Sequence, residues 1–303
     1  MSDRNRAAGG GRDLALAMLA AFCFGTTIVF QRAIAKDGTT SATALSIRFG
    51  ISSVLLVASL RATGRPLLPP PGERVRALFL GIGLYTFEST CFYLALERGT
   101  AAAVALLFYS YPAVVSIIDI ALGALRPNRA IAASLSLSIA GSVIVAVGGG
   151  HVAITLGGVG FVLCSVALFS TYVVAGHRVI PRTDALTAAA WTAIGAAIGV
   201  TILGVGQRSL HAPTLRAFGA IAATGTATAI AFTLFFVVLA RLGPSRTAIV
   251  MALEAIFGVV LSAIFLGEAL RAVVVVGGAA ILAGAVIAAV AQPAPDQEAA
   301  PPP

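Results

Sequence analysis

The amino-acid sequence predicts an all-helical polytopic membrane protein whose ten transmembrane helices form two inverted five-helix repeats. Hydrophobic residue types make up 58% of the 303 residues and charged residues only 11%, with a mean hydropathy of +0.98. Apolar blocks of about 18 or more residues recur along the chain, and each could cross about 30 Å of hydrocarbon. The two halves also share spaced identities. A soluble protein of this size needs more charged surface than this chain has.

The apolar blocks are continuous rather than alternating, so they predict membrane helices and not barrel strands. Charged, Pro or Gly residues separate the blocks, with short turns expected at Glu97–Thr100 and Arg241–Ser245. The ten predicted spans are Leu14–Ala33, Ala44–Leu60, Ala77–Leu96, Ala101–Leu122, Ala130–Val147, Gly157–Gly176, Ala185–Gly204, Ala217–Leu239, Thr247–Leu266 and Ala272–Val290.

The spans divide the chain into four parts. Residues 1–13 form an N-terminal segment, 14–147 a first repeat, 157–290 a second repeat and 291–303 a tail too rich in Pro and Ala to fold. No clear cleavage site follows the first apolar block, so we expect it to be retained as a helix rather than removed as a signal peptide.

An internal repeat supports this division. At an offset of 144 residues, Gly99 matches Gly243 and Ile120 matches Ile264. Apolar helices also match by chance, so the agreement with a five-and-five division of spans matters more. An odd number of spans in each half inverts the second half in the membrane, an arrangement typical of secondary transporters.

The basic residues predict the orientation. Thirteen of the 20 Lys and Arg residues lie in the N-terminal segment and the loops after spans 2, 4, 6 and 8, whereas six lie on the opposite side. The positive-inside rule therefore places both termini in the cytoplasm, and we expect a bacterial inner-membrane location. The net charge of +8 is scattered singly over short loops, so it does not predict nucleic-acid binding.

Motifs for enzymes and cofactors are missing from the sequence. No HExxH, Walker or serine-elbow pattern occurs, and the three cysteines lie inside apolar blocks without metal-ligand spacing. We therefore expect a protein that is not an enzyme and that binds no metal, cofactor or ATP.

Ionisable residues inside the spans are the main candidates for function, because each costs about 2.5–3.5 kcal/mol at a helix centre. Glu88 and Glu254 lie within spans 3 and 9, whereas Asp119 and Arg48 lie near span ends and are expected at the interface. A substrate pathway or a proton relay would explain them. Structural ion pairs, or side chains that extend to the headgroups, are the alternative.

Helical spacing collects polar and aromatic residues on single faces, as on span 4 with Tyr109, Pro112 and Ser116. A cavity would use such faces, although hydrogen bonds between packed helices would also explain them. Pro112 is expected to kink span 4. The predicted cavity residues are Thr27, Tyr85, Glu88, Tyr109, Pro112, Ser116, Tyr172 and Glu254.

Small residues also follow single faces of spans 5 and 10. One such face consists of Ser134, Ser138 and Gly141, and the other of Gly277, Ala280 and Gly284. They predict close packing of the two repeats in a monomer, with homodimerisation as the alternative.

Three segments resemble a known family. FGTTIVFQRAI in span 1, LFYSYPAVVSIID in span 4 and MALEAIFGVVLSAIFLGEAL in span 9 are similar to the EamA type of the drug/metabolite transporter superfamily. The overall likeness is to YddG-type exporters of aromatic and other neutral amino acids. This resemblance implies ten helices in two inverted repeats, around a central cavity lined by spans 1, 3, 4, 6, 8 and 9.

The chain departs from the family pattern of an acid–proline pair followed by Gly-Glu. The second half keeps Glu254 and Gly267-Glu268 but has Ala255 instead of proline, whereas the first half keeps Pro112 without the acid. Four-helix relatives carry a membrane carboxylate in their first helix, and spans 1 and 6 have none. Proton antiport and facilitated export therefore both remain open.

These observations together favour a secondary transporter that exports amino acids or similar small metabolites by alternating access. Its expected partners are a small-molecule substrate and the lipid bilayer, without nucleic acid. Glu88 or Glu254 would suit the substrate ammonium, and the tyrosines would suit a ring or aliphatic side chain. Efflux of cationic drugs is one alternative, and a non-transporting membrane scaffold or receptor is another.

Overall fold

The computed structural model describes residues 3–123, 126–145, 154–251 and 253–291. The tail from residue 292 onward and the predicted end of span 5 at residues 146 and 147 lie outside these ranges. The helices are α1 (Asp3–Lys36), α2 (Ser41–Ala62), α3 (Arg74–Phe79), a π-helical segment (Leu80–Tyr85), α4 (Thr86–Glu97), α5 (Ala101–Phe108), α6 (Tyr111–Ala121), α7 (Arg129–Val143), α8 (Leu156–Val179), α9 (Ala185–Gly206), α10 (Leu215–Met251), α11 (Leu253–Leu266) and α12 (Ala272–Ala291).

The fold is all-helical, as predicted. In the described ranges the only strand-like pairing is one isolated bridge between Gly99 and Ile154. Seven helical segments there are long and apolar enough to cross a membrane, and they coincide with predicted spans 1–4 and 6–8. Shorter apolar helices occupy the positions of spans 5, 9 and 10, at Arg129–Val143, Leu253–Leu266 and Ala272–Ile287. The chain is therefore a multi-pass membrane protein.

Side-chain oxygens cap the N-termini of several of these helices. Thr40, Thr100 and Thr155 each accept a hydrogen bond from the backbone N–H three residues ahead. Asp184 accepts from the backbone N–H groups of Leu186 and Thr187 at the start of α9. These caps satisfy N–H groups that have no partner within the helix. The first helix begins at Asp3, well before the predicted Leu14, because hydropathy marks only the part of a helix that lies in hydrocarbon.

Predicted span 4 is interrupted in its middle, next to Pro112. Helix α5 ends at Phe108, and α6 begins at Tyr111 with Pro112 in its first turn. A proline at this position loses nothing by lacking an N–H, because first-turn N–H groups have no partner within the helix. The break therefore falls before Pro112, at Tyr109 and Ser110.

The π-helical segment of span 3 packs closely on α9. A Cβ atom added to Gly81 would lie 2.6 Å from the Thr192 carbonyl oxygen, and one added to Gly195 would lie 2.7 Å from that of Leu78. The Thr86 hydroxyl donates to the Gly81 carbonyl at 3.0 Å. Only glycines permit this approach of two backbones, which sets the position of the helical turns just before Glu88.

Helix α10 continues through Gly243 and Pro244, where the sequence predicts a turn between spans 8 and 9. A straight helix would separate residues 235 and 251 by about 24 Å. Phe235 and Met251 nevertheless pack in one apolar cluster with Ala20 and Ala21 of α1. The segment therefore bends between them, while its backbone stays helical.

Two pairs of helices at equivalent positions of the two halves pack against each other in antiparallel directions. In the pair α2 and α9, Gly204 near the end of α9 lies against Ala42 at the start of α2. In the pair α7 and α12, Gly141 meets Gly277, and the Ser134 hydroxyl donates to the Gly284 carbonyl at 2.7 Å. The two small-residue faces predicted from the sequence thus lie against each other.

Candidate functional site

A cavity lies among the helices of both halves. Residues of α1, α4, α5, α6, α8, α10 and α11 line it, together with the end of the π-helical segment at Tyr85. These elements belong to spans 1, 3, 4, 6, 8 and 9, which are the spans that the family resemblance implies. Span 2 adds one residue, Arg48.

Five of the eight predicted cavity residues line this space. They are Thr27, Tyr85, Glu88, Tyr172 and Glu254. They come from four helices and from the π-helical segment. The cavity therefore brings together side chains that are up to 227 positions apart in the sequence.

Glu88 is held by two serine hydroxyls. Ser89 donates to Oε2 and Ser165 of α8 donates to Oε1, each at 2.9 Å. The Glu88 side chain is buried in the wall, with the residue only 5% exposed. These two hydrogen bonds fix the orientation of the carboxyl group.

Glu254 meets the first half through Tyr109. The Tyr109 hydroxyl donates to Glu254 Oε2 at 2.8 Å and also contacts the Met251 carbonyl. Tyr109 is fully buried and does not line the cavity. It therefore positions Glu254 from behind instead of facing the open space.

Pro112 and Ser116 also lie outside the cavity wall. The Ser116 hydroxyl donates to the Pro112 carbonyl at 3.0 Å, within its own helix, and Ser116 is fully buried. The structure thus brings none of the three predicted residues of span 4, Tyr109, Pro112 and Ser116, to the cavity. Tyr111, one position away from Pro112, lines it instead.

The sequence analysis expects Arg48 at the membrane interface near the outer end of span 2, and the structure shows that this is wrong. It is 5% exposed and lines the cavity. Its Nε donates to Thr228 at 2.7 Å and its Nη1 to Gln31 Oε1 at 2.8 Å. The cavity therefore contains one cationic and two acidic side chains. The only feature of the sequence that marked Arg48 was its position within a predicted span. The position of a residue along a helix does not show which way its side chain points.

Aromatic rings form most of the remaining wall. Tyr85 lies 5.2 Å from both Tyr172 and Phe232, and Phe169 lies 5.0 Å from Tyr111, as centroid distances with steep interplanar angles. Such edge-to-face contacts keep the rings in place. Sequence reasoning missed Phe169 and Phe232, because a phenylalanine in an apolar helix carries no signal that separates it from packing.

The site is suited to a small amphiphilic solute. Charged groups can hold polar ends and ring faces can hold an apolar body or a cation. In the described part of the chain, no group of three or more His, Cys, Asp or Glu side chains could hold a metal ion.

Comparison with solved structures agrees with this architecture. Fourteen chains are similar to this one. One of them, described as "Crystal structure of protein", superposes with a TM-score of 0.68 over 91% of this chain and 96% of its own, at 18% sequence identity. At that identity the similarity shows the fold alone. No curated protein matches the chain.

A family model settles the membership. The model of the EamA-like transporter family matches the chain twice, over residues 12–147 and 156–290. The two matches cover most of the sequence and correspond to two copies of one repeat. The chain belongs to the EamA-like transporter family.

Proposed function

We propose that this membrane transporter exports amino acids with aromatic or other apolar side chains across the bacterial inner membrane. The observation that carries the proposal is the cavity between the two repeats, in which Glu88, Glu254 and Arg48 share a wall with aromatic rings. An amino acid offers an ammonium group for a carboxylate and an apolar body for the rings. In this proposal the ammonium binds at Glu88 or Glu254.

The packing of the helices supports transport by alternating access. Two pairs of equivalent helices, α2 with α9 and α7 with α12, run antiparallel. This is the relation expected of inverted repeats, in which rocking of one repeat against the other exposes a central site to either side. The proposal includes ten spans in a monomer with both termini in the cytoplasm, where the predicted basic loops lie.

Export of cationic compounds is the second candidate. Two acidic residues and many ring faces in one cavity are features that also suit organic cations. This candidate predicts flux of lipophilic cations without flux of amino acids. A scaffold or receptor predicts no solute flux at all.

Counterflow in proteoliposomes tests the proposal. Purified protein is reconstituted with unlabelled solute inside, and uptake of labelled amino acids or of a labelled organic cation is followed with and without a pH gradient. We expect amino-acid counterflow above that of protein-free liposomes. Cation flux alone would favour the second candidate, and dependence on the pH gradient would separate proton coupling from facilitated export.

A matched pair of variants assigns the flux to the cavity. Glu88→Gln removes a cavity charge, whereas Glu97→Gln makes the same change at the end of α4, where Glu97 pairs with Arg98 and is 31% exposed. We expect the first variant to reduce amino-acid flux and the second to leave it unchanged. Equal flux in both variants would place the substrate elsewhere.

A further inference from the structure

Arg48 is a cation in the cavity wall, with its guanidinium carbon 5.0 Å from the centre of the Phe49 ring. Among the described residues that line the cavity, it alone comes from α2. Its neighbours along the helix, Leu45 and Phe49, are fully buried in the protein core. A cation in this position is costly, because burial removes the water that would stabilise its charge.

The hydrogen bonds of Arg48 fix the guanidinium without neutralising it. Thr228 of α10 and Gln31 of α1 accept from Nε and Nη1, and both acceptors are uncharged. Within the described ranges, no carboxylate lies within 4.0 Å of Arg48. The two neutral contacts therefore hold the planar group in one orientation and leave its charge uncompensated by a direct ion pair.

Part of the guanidinium remains open to the cavity. In the described part of the chain, the only enclosed side-chain polar atom without a hydrogen-bond partner is the Ser138 hydroxyl oxygen. The Nη2 group of Arg48 makes no hydrogen bond there, so protein atoms do not enclose it. A guanidinium edge with free N–H groups matches the two oxygens of a carboxylate.

We propose that Arg48 binds the carboxylate of the transported solute, so that the site selects zwitterions over cationic amines. This inference rests on the proposed function, and it assigns the two ends of the substrate to different helices. The carboxylate pairs with Arg48 of α2, and the ammonium pairs with Glu88 of α4 or Glu254 of α11. An amine without a carboxylate leaves Arg48 unpaired and near its own positive charge.

Competition in the unaltered protein provides the first test. Counterflow of labelled phenylalanine is measured against unlabelled phenylalanine, phenylalaninamide and phenethylamine. The last two keep the ring and the ammonium but lack the carboxylate. We expect each to compete at least about tenfold less well than phenylalanine, as loss of one charge-assisted contact implies. Equal competition by the three solutes would overturn the inference.

Variants of Arg48 provide the second test. Arg48→Gln should raise the half-saturating phenylalanine concentration by about tenfold or more and should leave competition by phenethylamine unchanged or stronger. Arg48→Lys keeps the charge without the planar fork and should fall between the two. Arg61→Gln, at the exposed end of the same helix, is the matched control and should behave as the unaltered protein.

The outcomes separate this inference from the proposed function. Lack of counterflow for every amino acid in the unaltered protein contradicts both. Amino-acid counterflow with equal competition by the amide and the amine contradicts the Arg48 inference alone. A well-folded Arg48→Gln protein that loses affinity for phenylalanine and phenethylamine equally would show that Arg48 only supports the cavity wall. If that variant does not fold, the competition in the unaltered protein decides.

Discussion

Each charged side chain of the cavity is held by neutral partners. Glu88 accepts from two serines, Glu254 accepts from a tyrosine, and Arg48 donates to a threonine and a glutamine. Hydroxyl and amide groups stabilise a buried charge without neutralising it. An ion pair would stabilise the charge and also neutralise it. The arrangement therefore leaves these charges available to a solute.

The Glu88 carboxylate can be altered without changing its shape. Glu88→Gln keeps an acceptor oxygen for one of the two serine hydroxyls and offers an NH2 group that the oxygen of the other can accept, so folding should stay near normal. Loss of one charge-assisted contact of ~1.4 kcal/mol should reduce affinity for zwitterionic or cationic solutes by about tenfold. Counterflow at varied solute concentration measures this, with thermal stability in detergent as the folding control.

Two outcomes would contradict the expectation for Glu88. Unchanged amino-acid flux in a well-folded Glu88→Gln protein would make the residue structural. Equal weakening of an apolar, uncharged solute would mean that the substitution distorts the cavity and does not remove a specific contact.

Glu73, in the loop between α2 and α3, gives a pH-dependent contribution to stability. Burial disfavours its charged form, but hydrogen bonds from Thr183 and Arg182 outweigh this and hold the pKa of Glu73 below its ordinary value of 4.5. A carboxylate with a lowered pKa stabilises the folded state above its unfolded pKa, and this stabilisation is lost as the pH falls through the folded pKa.

We therefore expect Glu73→Gln to lower the melting temperature by a constant amount above about pH 5. The difference from the unaltered protein should shrink as the pH falls below 4.5, the ordinary pKa of the group. Thermal unfolding in detergent from pH 7 to pH 3 measures it. A difference that does not change with pH would mean that the ionised form has no special role.

At the scale of helices, α4 and α8 come close enough for a covalent bond. The Sγ atoms of Cys91 and Cys164 lie 3.5 Å apart, next to the contact between Glu88 and Ser165. A mild oxidant that removes two electrons and two protons should join them in a disulfide with little movement of the helices. Loss of maleimide labelling at these two cysteines, reversed by a thiol reductant, measures the bond.

The cross-link should also slow transport if α4 and α8 move relative to each other during the cycle. Cys91→Ser is the control, because it leaves a single thiol at this contact and should be insensitive to the oxidant. Labelling that persists at both positions after oxidation would contradict the close approach of the two helices.

The helical segments were largely predictable, whereas their breaks were less so. Continuous apolar blocks correctly marked the seven long spans, because spanning helices need that length of apolar chain. The break in span 4 and the bend in α10 depend on how the backbone packs against neighbours, which local composition does not record. Pro112 marked the break in span 4 to within a few residues without fixing its form.

The cavity was predictable only in part, for a related reason. Polar residues inside apolar helices are unusual, so Glu88, Tyr85 and Thr27 attract attention from the sequence alone. Which face of a helix meets the cavity depends on its rotation in the bundle. That rotation takes Ser116 away from the cavity and brings Arg48 into it.

At the scale of the whole molecule, the distribution of the basic residues predicts one orientation. At one end, Arg65 pairs with Asp184 at 2.8 Å, and Arg182 pairs with Glu73. This end carries most of the basic loop residues, so it should face the cytoplasm. A reporter placed in the loop between α2 and α3 should therefore read as cytoplasmic, and one in residues 207–214 as periplasmic. The opposite readout at either position would overturn the orientation.

At the other end, Glu268 ties the two repeats together beside the cavity. Its side chain is 6% exposed, and its Oε1 lies 3.4 Å from Arg32 Nε and 3.9 Å from Lys36 Nζ of α1. Its Oε2 accepts from the Ala101 N–H at the start of α5, at 2.9 Å. Arg32 follows directly after Gln31, which lines the cavity. If the cavity opens at this end by separation of α1 and α5 from the segment after α11, that movement breaks these contacts.

Glu268→Gln should therefore favour the state that is open at this end. The ion pairs with Arg32 and Lys36 would be lost, while the amide oxygen could still accept from Ala101. With the three native cysteines replaced by alanine, a cavity cysteine at Thr27→Cys reports access to a membrane-impermeant maleimide added from the Glu268 side. We expect labelling to be several-fold faster in Glu268→Gln than in its parent, because loss of a partly buried ion pair removes a contact specific to the closed end.

Glu97→Gln removes another carboxylate near this end and should not change the labelling rate, because the ion pair of Glu97 with Arg98 joins adjacent residues of one repeat. If both variants labelled as slowly as the parent, other contacts would have to close this end of the cavity.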